Sequence, residues 1–176
     1  DLVFTYFLAD SFKTQEQARQ AGEAAAKKAG DDVSFPGWRQ VTDETREQKP
    51  EVMLVIHDSD GNVLRRVSAP NKAGLNRVAW DLRRSFSGPV ETGKNWRGDS
   101  PSGFMVMPGS YQAKLVVVQN GVEQTLAGPV DFNVKRLREG ALPGNSLDEL
   151  EAFIAELNTL YGQSSAVRYA IRDARK

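Results

Sequence analysis

The chain has 176 residues, of which 40% are hydrophobic and 26% are charged, as in an ordinary globular domain. Its 23 basic and 23 acidic residues balance, which gives no indication of a nucleic-acid or anionic-membrane partner. The absence of cysteine excludes disulfides, thiol chemistry and cysteine-based metal sites. No apolar run reaches the roughly 18 residues of a membrane-spanning helix.

The first elements in chain order are a strand and a helix. Residues 2–8 are rich in β-branched and aromatic side chains, which predicts a strand. Thr14 and Gln17 form a capping-box pattern, and Gly30 suits the residue after a helix, so we predict a helix over 15–29. Its apolar stripe consists of alanines alone, which favours weak packing or a surface position.

The segment that follows carries fewer signals. We predict a loop over residues 31–50, with Phe35 and Trp38 as its anchors. The next clear strand begins at Glu51, so residues 11–50 are interpreted as an insertion between two strands of one sheet protein.

A hairpin follows the insertion. Residues 51–57 and 62–67 are apolar-rich runs separated by a segment that ends in Asp-Gly, a strong turn signal. In the first of these runs Met53 and Val55 lie on one face while Leu54 and Ile56 lie on the other. Val3 and Phe7 likewise lie opposite Phe4 and Tyr6 in the first strand. A strand with two apolar faces needs cover on both sides.

A further strand is predicted over residues 74–83. Its apolar side chains Val78, Trp80 and Leu82 share one parity, and Arg77, Asp81 and Arg83 share the other. This alternation is typical of a half-buried strand, and we expect Trp80 to lie in the core.

The rest of the predicted sheet lies between residues 84 and 134. Residues 84–107 are rich in Gly and Pro and are interpreted as irregular. After the turn of Pro108-Gly-Ser-Tyr111, strands over 111–119 and 122–126 are joined by Asn-Gly. Residues 130–134 form the last predicted strand.

The C-terminal part is predicted to be helical. Ser146 and Glu149 form a second capping box. A broad apolar stripe follows at helical spacing, with Gly162 as a possible kink or end: Leu150, Phe153, Ile154, Leu157, Leu160 and Tyr161. We expect this stripe to be buried against the outer face of the sheet that holds Met53 and Val55.

These elements predict a mainly β fold, an Ig-like or fibronectin-like antiparallel β-sandwich of seven strands. The predicted domain spans residues 1–142 and includes the insertion at 11–50. Residues 143–176 form a C-terminal helical extension packed on one sheet.

Few residues suggest chemistry. His57, the single histidine, ends a strand before a tight turn, where we expect it to be exposed or lightly hydrogen-bonded. The turn at Asp58–Asn62 resembles a calcium loop superficially, but Ala69 stands where a bidentate Glu would be required. There is no metal-ligand cluster and no phosphate-binding glycine motif, so we expect no cofactor, no metal and no catalytic residue.

Trp38 and Trp96 are the candidate ligand-binding residues. Both lie in predicted loops, where binding residues concentrate, and exposed indoles stack on sugars or anchor partner proteins. The favoured interpretation is that each fills a gap beneath its own segment. A platform for carbohydrate is the alternative.

The order of these motifs resembles a bacterial family. Phe4-Thr-Tyr-Phe-Leu8, the Gly74–Arg83 run, Pro108-Gly-Ser-Tyr111 and Phe132-Asn-Val134 are similar to the C-terminal Ig-like domain of exported sortilin-like or BNR-repeat β-propeller proteins, often labelled glycosyl hydrolase-like. Residues 11–50 depart from that pattern. The chain begins without Met, directly before a strand, and we expect it to be a piece of a larger protein.

The resemblance implies an accessory sandwich attached to an upstream β-propeller of the same protein, in the extracellular or periplasmic space. Any hydrolase activity would belong to the propeller and not to this fragment. The leading hypothesis is therefore a non-catalytic structural or interaction module whose partner is the propeller or a neighbouring subunit. The alternatives are a polysaccharide-binding module that uses Trp38 and Trp96, and an enzyme with a site built from residues 84–107.

Overall fold

A computed structural model describes residues 1–88, 102–138 and 144–175 of the chain. The fold is mainly β, with 37% of the described residues in strands and 33% in helices. The strands are β1 (Leu2–Leu8), β2 (Glu51–His57), β3 (Val63–Ala69), β4 (Gly74–Trp80), β5 (Arg83–Ser85), β6 (Ser102–Met105), β7 (Gly109–Gln119) and β8 (Val122–Val134). The helices are α1 (Gln15–Ala29), α2 (Trp38–Arg46) and α3 (Leu147–Ala174).

The described strands form three sheets. β1 pairs with β4, β5 pairs with β6, and both pairs are antiparallel. A four-stranded sheet has the order β3-β2-β7-β8. The chain forms two compact units: the first comprises Asp1–Ile56, Arg66–Trp80 and Ala113–Val130, and the second comprises His57–Arg65, Asp81–Gln112 and Asp131–Lys176. The predicted boundary at residue 142 remains a prediction.

The β1–β4 ladder shows the predicted alternation. Val78 and Trp80 are buried, with Trp80 only 1% exposed, which confirms its place in the core. The strand ends at Trp80 and not at residue 83, because Leu82 has a φ of 60° that interrupts extended backbone. Arg83 then begins β5.

The expectation that both faces of β1 are covered is wrong. Val3 is 55% exposed and Phe7 is 69% exposed, whereas Phe4 and Tyr6, on the opposite face, are only partly exposed. β2 does meet the expectation, since the adjacent residues Val55 and Ile56 are 1% and 0% exposed. Both faces of β2 are therefore covered, whereas the outer face of β1 is not.

β8 is one strand where two were predicted. Residues 122–134 continue through a cis Gly128–Pro129 peptide. Pro129 is tolerated because β8 lies at the edge of its sheet, where a backbone N–H need not be donated. The Asn120-Gly121 turn before it is confirmed, with both residues at positive φ as a type I′ hairpin turn requires.

The prediction that residues 84–107 are irregular is wrong in part. Part of this region forms β5 and β6, which pair with a shift in register. Residues 89–101, which include Trp96, lie outside the described residues.

α1 has its predicted bounds. Both hydrogen bonds of the Thr14–Gln17 capping box are present, and Gly30 closes the helix at a φ of 89°. None of its residues is buried, as the alanine stripe indicated.

α2 corrects the predicted loop over residues 31–50. Its first turn lacks a side-chain cap, because Gly37 occupies the N-cap position, and β-branched Val41, Thr42 and Thr45 disfavour a helix. Local signals therefore do not predict this helix, and contacts with α1 stabilise it.

α3 starts at the predicted capping box and continues through Gly162 without ending. The predicted burial of its apolar stripe is wrong, since α3 has no buried residue and Phe153 is 60% exposed.

Candidate binding surfaces

An ion pair joins α1 to α2 in the first unit. Arg19 Nε donates to Glu44 Oε1 at 2.9 Å, and Nη2 donates to Oε2 at 2.8 Å. Gln40 Nε2 donates to Oε1 at 3.0 Å, and Glu23 contacts the same guanidinium. Glu44 is 5% exposed. The hydrogen bonds from Arg19 outweigh burial and lower the pKa of Glu44, while Glu44 and Glu23 raise the pKa of Arg19.

The start of the insertion is tied to the loop before β4. Phe12 N–H donates to Asn71 Oδ1 at 2.8 Å, and Asn71 Nδ2 donates to the Phe12 carbonyl at 2.8 Å. The Tyr6 hydroxyl donates to the Pro70 carbonyl beside them. One side chain thus satisfies both backbone groups of Phe12, which holds the entry to α1 against the β1–β4 ladder.

Trp38 lies with Phe35 in an exposed aromatic pair at the start of α2. The ring centroids are 5.2 Å apart and the planes meet at 64°. Phe35 is 62% exposed and Trp38 is 78% exposed, so the prediction that Trp38 fills a gap beneath its own segment is wrong. Because the two rings touch edge to face, the free face of the indole is the surface that could stack on a ligand. The other predicted residue, Trp96, lies outside the described residues.

The outer face of the β1–β4 ladder is apolar at both ends. Phe7 pairs with Leu75, and they are 69% and 70% exposed. Val3, 55% exposed, pairs with Ala79. We call these four residues the outer apolar face. Both faces of this ladder carry apolar residues, and only their exposure distinguishes the outer apolar face from the core face. The sequence alone therefore did not identify the outer apolar face.

A cleft of about 190 Å³ lies within the second unit, between the β5–β6 pair and α3. The rings of Phe86, Phe104 and Tyr161 line it. Its polar lining consists of Arg83, Ser87 and Asn158, and no carboxylate or imidazole is among the described lining residues. Ser87 Oγ lies 3.2 Å from Asn158 Oδ1. The described lining residues therefore offer aromatic and hydrogen-bonding contacts and include no general base.

The turn predicted after β2 is present, and Asp58 holds it together. Asp58 accepts hydrogen bonds from the backbone of Asp60 at 3.0 Å and of Asn62 at 2.8 Å. Burial would raise the pKa of Asp58, but the hydrogen bonds from Asn62 and Asp60 outweigh it, so the pKa lies below its usual value. His57 is 8% exposed, so of the two expected alternatives the exposed imidazole is wrong, and the lightly hydrogen-bonded imidazole stays a prediction.

The described residues include neither a metal-ligand cluster nor a membrane-spanning helix. No cluster of three or more His, Cys, Asp or Glu side chains could hold a metal ion there. Among the helices within those residues, none is long and apolar enough to cross a membrane.

Comparison with protein-family models finds no match for this chain, and comparisons with curated proteins and with solved structures find none either. The resemblance to the sortilin-like propeller proteins therefore stays a prediction.

Proposed function

We propose that this chain is a non-catalytic interaction module, an Ig-like sandwich attached to the β-propeller of a larger exported protein. The observation that carries the proposal is the outer apolar face of Phe7, Leu75, Val3 and Ala79. The solvent-facing side of an antiparallel ladder is normally polar, but here the Thr5–Arg77 pair alone is polar between two apolar ends, so we take the exposed Phe7–Leu75 pair as the centre of a surface that another domain covers.

Strand order supports the Ig-like part of the proposal. The pairing of β1 with β4 corresponds to the B–E pair of that fold, and β3-β2-β7-β8 corresponds to C′-C-F-G. The Tyr111 hydroxyl, at the start of β7, donates to the Met107 carbonyl four residues upstream. A tyrosine corner of this kind occurs at the start of strand F in immunoglobulin-type sandwiches. In this correspondence α1 and α2 are inserted between strands B and C.

Burial of the outer apolar face by a neighbouring domain would lower the free energy. Fully burying a Leu or Phe side chain gains about 1.5–3 kcal/mol relative to leaving it in water. Phe7 and Leu75 lie side by side, so one apolar group of a neighbouring domain would bury both. The propeller is the occupant that we propose, because the resemblance places it directly upstream in the same protein.

Hydroxyl-radical footprinting of the 176-residue chain and of the longer protein tests the proposal. We expect Phe7 and Leu75 to be oxidised in the isolated chain and protected in the longer protein. Val122, which is 68% exposed and lies outside the outer apolar face, is the internal control and should react equally in both. Equal oxidation of Phe7 in both proteins would overturn the proposal.

The non-catalytic part has its own test. The cleft in the second unit carries no carboxylate among its described lining residues, so it offers no acid–base pair for glycoside hydrolysis. We expect the purified chain to leave aryl glycosides intact. Hydrolysis that disappears on substitution of a single carboxylate would show instead that the fragment is an enzyme.

Carbohydrate binding through Trp38 is the second candidate function. The 78% exposure of this indole favours it, because an exposed aromatic face is what sugar stacking requires. A glycan screen read by tryptophan fluorescence would show saturable binding that is lost in Trp38→Ala. Trp96→Ala, tested in the same screen, shows whether the second candidate ligand-binding residue also contributes to binding. Absence of binding to every glycan by the folded wild-type chain would rule against this function.

A further inference from the structure

α3 carries a seam of heptad positions that the described part of the second unit leaves exposed. From Leu150 to Ala174, eight residues recur at alternating spacings of three and four: Leu150, Phe153, Leu157, Leu160, Ser164, Val167, Ile171 and Ala174. We call these residues the heptad seam. A run of three or more heptads with apolar residues at these two positions is typical of a coiled coil.

The seam is exposed along its whole length. Its large apolar side chains range from 38% exposure at Leu157 to 60% at Phe153. α3 has 28 residues and is therefore about 42 Å long. An apolar stripe of this length on a surface helix marks a face that another helix covers.

α3 uses a different face against its own unit. A Cβ on Gly162 would lie 2.8 Å from the Ser87 carbonyl oxygen, so the glycine permits close approach of the two backbones. Tyr161 meets Phe86 edge to face at a centroid distance of 5.9 Å, and Glu151 pairs with Arg84. These contacts hold the helix in place and leave the heptad seam pointing away from them.

Charge along α3 indicates the orientation of a partner helix. Residues 147–160 contain four acidic side chains and no Lys or Arg, namely Asp148, Glu149, Glu151 and Glu156. Residues 161–175 contain Arg168, Arg172 and Arg175 with Asp173 as the single acidic residue. Two copies placed antiparallel bring the acidic half of each beside the basic half of the other, whereas parallel pairing sets like charges together. Antiparallel helix dipoles add to this preference.

Side-chain size agrees with the same orientation. An antiparallel register centred between Leu160 and Ser164 places each large residue of the first half opposite a smaller one of the second. Leu150 meets Ala174, and Leu157 meets Val167. Parallel pairing would instead bury two Ser164 hydroxyls against each other and leave Phe153 facing Phe153.

We infer that two copies of this chain associate through the heptad seam as an antiparallel pair of α3 helices. The inference goes beyond the proposed function, because it uses a surface of the second unit and not the outer apolar face. A single polar residue at the centre of the seam, Ser164, would favour one register over others.

Sedimentation velocity of the 176-residue chain over a range of concentrations tests the association. We expect the wild-type chain to shift from monomer to dimer as its concentration rises. Leu160→Lys places a charge at the centre of the seam and should leave only monomer. Leu137→Lys is the matched control, since Leu137 is an exposed leucine outside α3, and it should dimerise as the wild type does. A circular dichroism spectrum unchanged from wild type shows that Leu160→Lys is folded.

Thiol cross-linking tests the orientation, and the chain has no native cysteine to interfere. Leu157→Cys and Val167→Cys should each stay uncrosslinked alone but form a mixed disulfide dimer when combined under oxidising conditions. Disulfide dimers of either variant alone would indicate parallel pairing and overturn the orientation. A wild-type chain that stays monomeric at every concentration would overturn the inference, while protection of Phe7 in the longer protein would still support the proposed function.

Discussion

Arg19 and Glu44 join two helices across 25 residues of sequence, with both nitrogens of the Arg19 fork donating to one buried carboxylate. α2 has no side-chain cap of its own and three β-branched residues, so this pair compensates for weak local propensity. A bidentate geometry also fixes the angle between the helices, which positions the Phe35–Trp38 pair at the start of α2.

We expect Glu44→Gln to unfold α2 selectively. Glu23 still pairs with Arg19 within α1, but the charged link from Arg19 to α2 is lost, and a neutral hydrogen bond to the substituted amide replaces it only in part. Hydrogen exchange should show faster exchange of the α2 amides with little change in β2. The double variant Arg19→Met with Glu44→Gln should recover part of the protection. Equal exchange in Glu44→Gln and wild type would mean that the ion pair does not stabilise α2.

The two described tryptophans should respond in opposite ways to truncation. Trp80 is 1% exposed and Trp38 is 78% exposed. Trp80→Ala should lower the free energy of unfolding by about 3–5 kcal/mol, because it leaves a large cavity. Trp38→Ala, its matched control, should change it by less than about 1 kcal/mol. Urea titration measures both values, and a similar loss in the two variants would contradict the placement of Trp80 in the core.

Two helical glycines should also differ. A Cβ on Gly22 in α1 meets nothing within 4 Å, whereas one on Gly162 lies 2.8 Å from the Ser87 carbonyl oxygen. Gly22→Ala should raise the free energy of unfolding by about 0.5–1 kcal/mol through helix propensity. In Gly162→Ala the same gain is outweighed by overpacking, and we expect a net loss of about 1 kcal/mol. A gain in both variants would show that α3 does not lie against Ser87.

Asp58 should make the chain sensitive to acid. Its pKa is lowered in the folded protein, so its ionised form contributes stability above the unfolded pKa near 4 that is lost as pH falls through the folded value. The free energy of unfolding should therefore decrease below about pH 4. Asp58→Asn should flatten that slope, and Asp60→Asn controls for loss of a charge in the same turn. An unchanged slope in Asp58→Asn would contradict the role of its hydrogen bonds.

Local signals along the chain were sufficient for most of the elements. The capping boxes at Thr14 and Ser146 located two helices, and period-two alternation around Trp80 located a core strand, because caps and alternation depend on neighbours in sequence. α2 was not predicted, because it is stabilised by the ion pair between Glu44 and Arg19, which lies on another helix. The continuity of β8 was not predicted either, because it depends on the position of β8 at the edge of its sheet, where Pro129 is accommodated.

Residue type alone determined that Phe7, Leu75 and the α3 stripe are apolar, and for Phe7 and the stripe it led to the expectation of burial. Only the tertiary structure decided which apolar faces are covered. Trp80 and Ile56 lie in the core, whereas Phe7 and Phe153 remain in contact with water. Periodicity specifies which side chains share a face, but long-range packing decides whether another layer lies against that face. The candidate binding surfaces are the apolar faces that this packing leaves exposed.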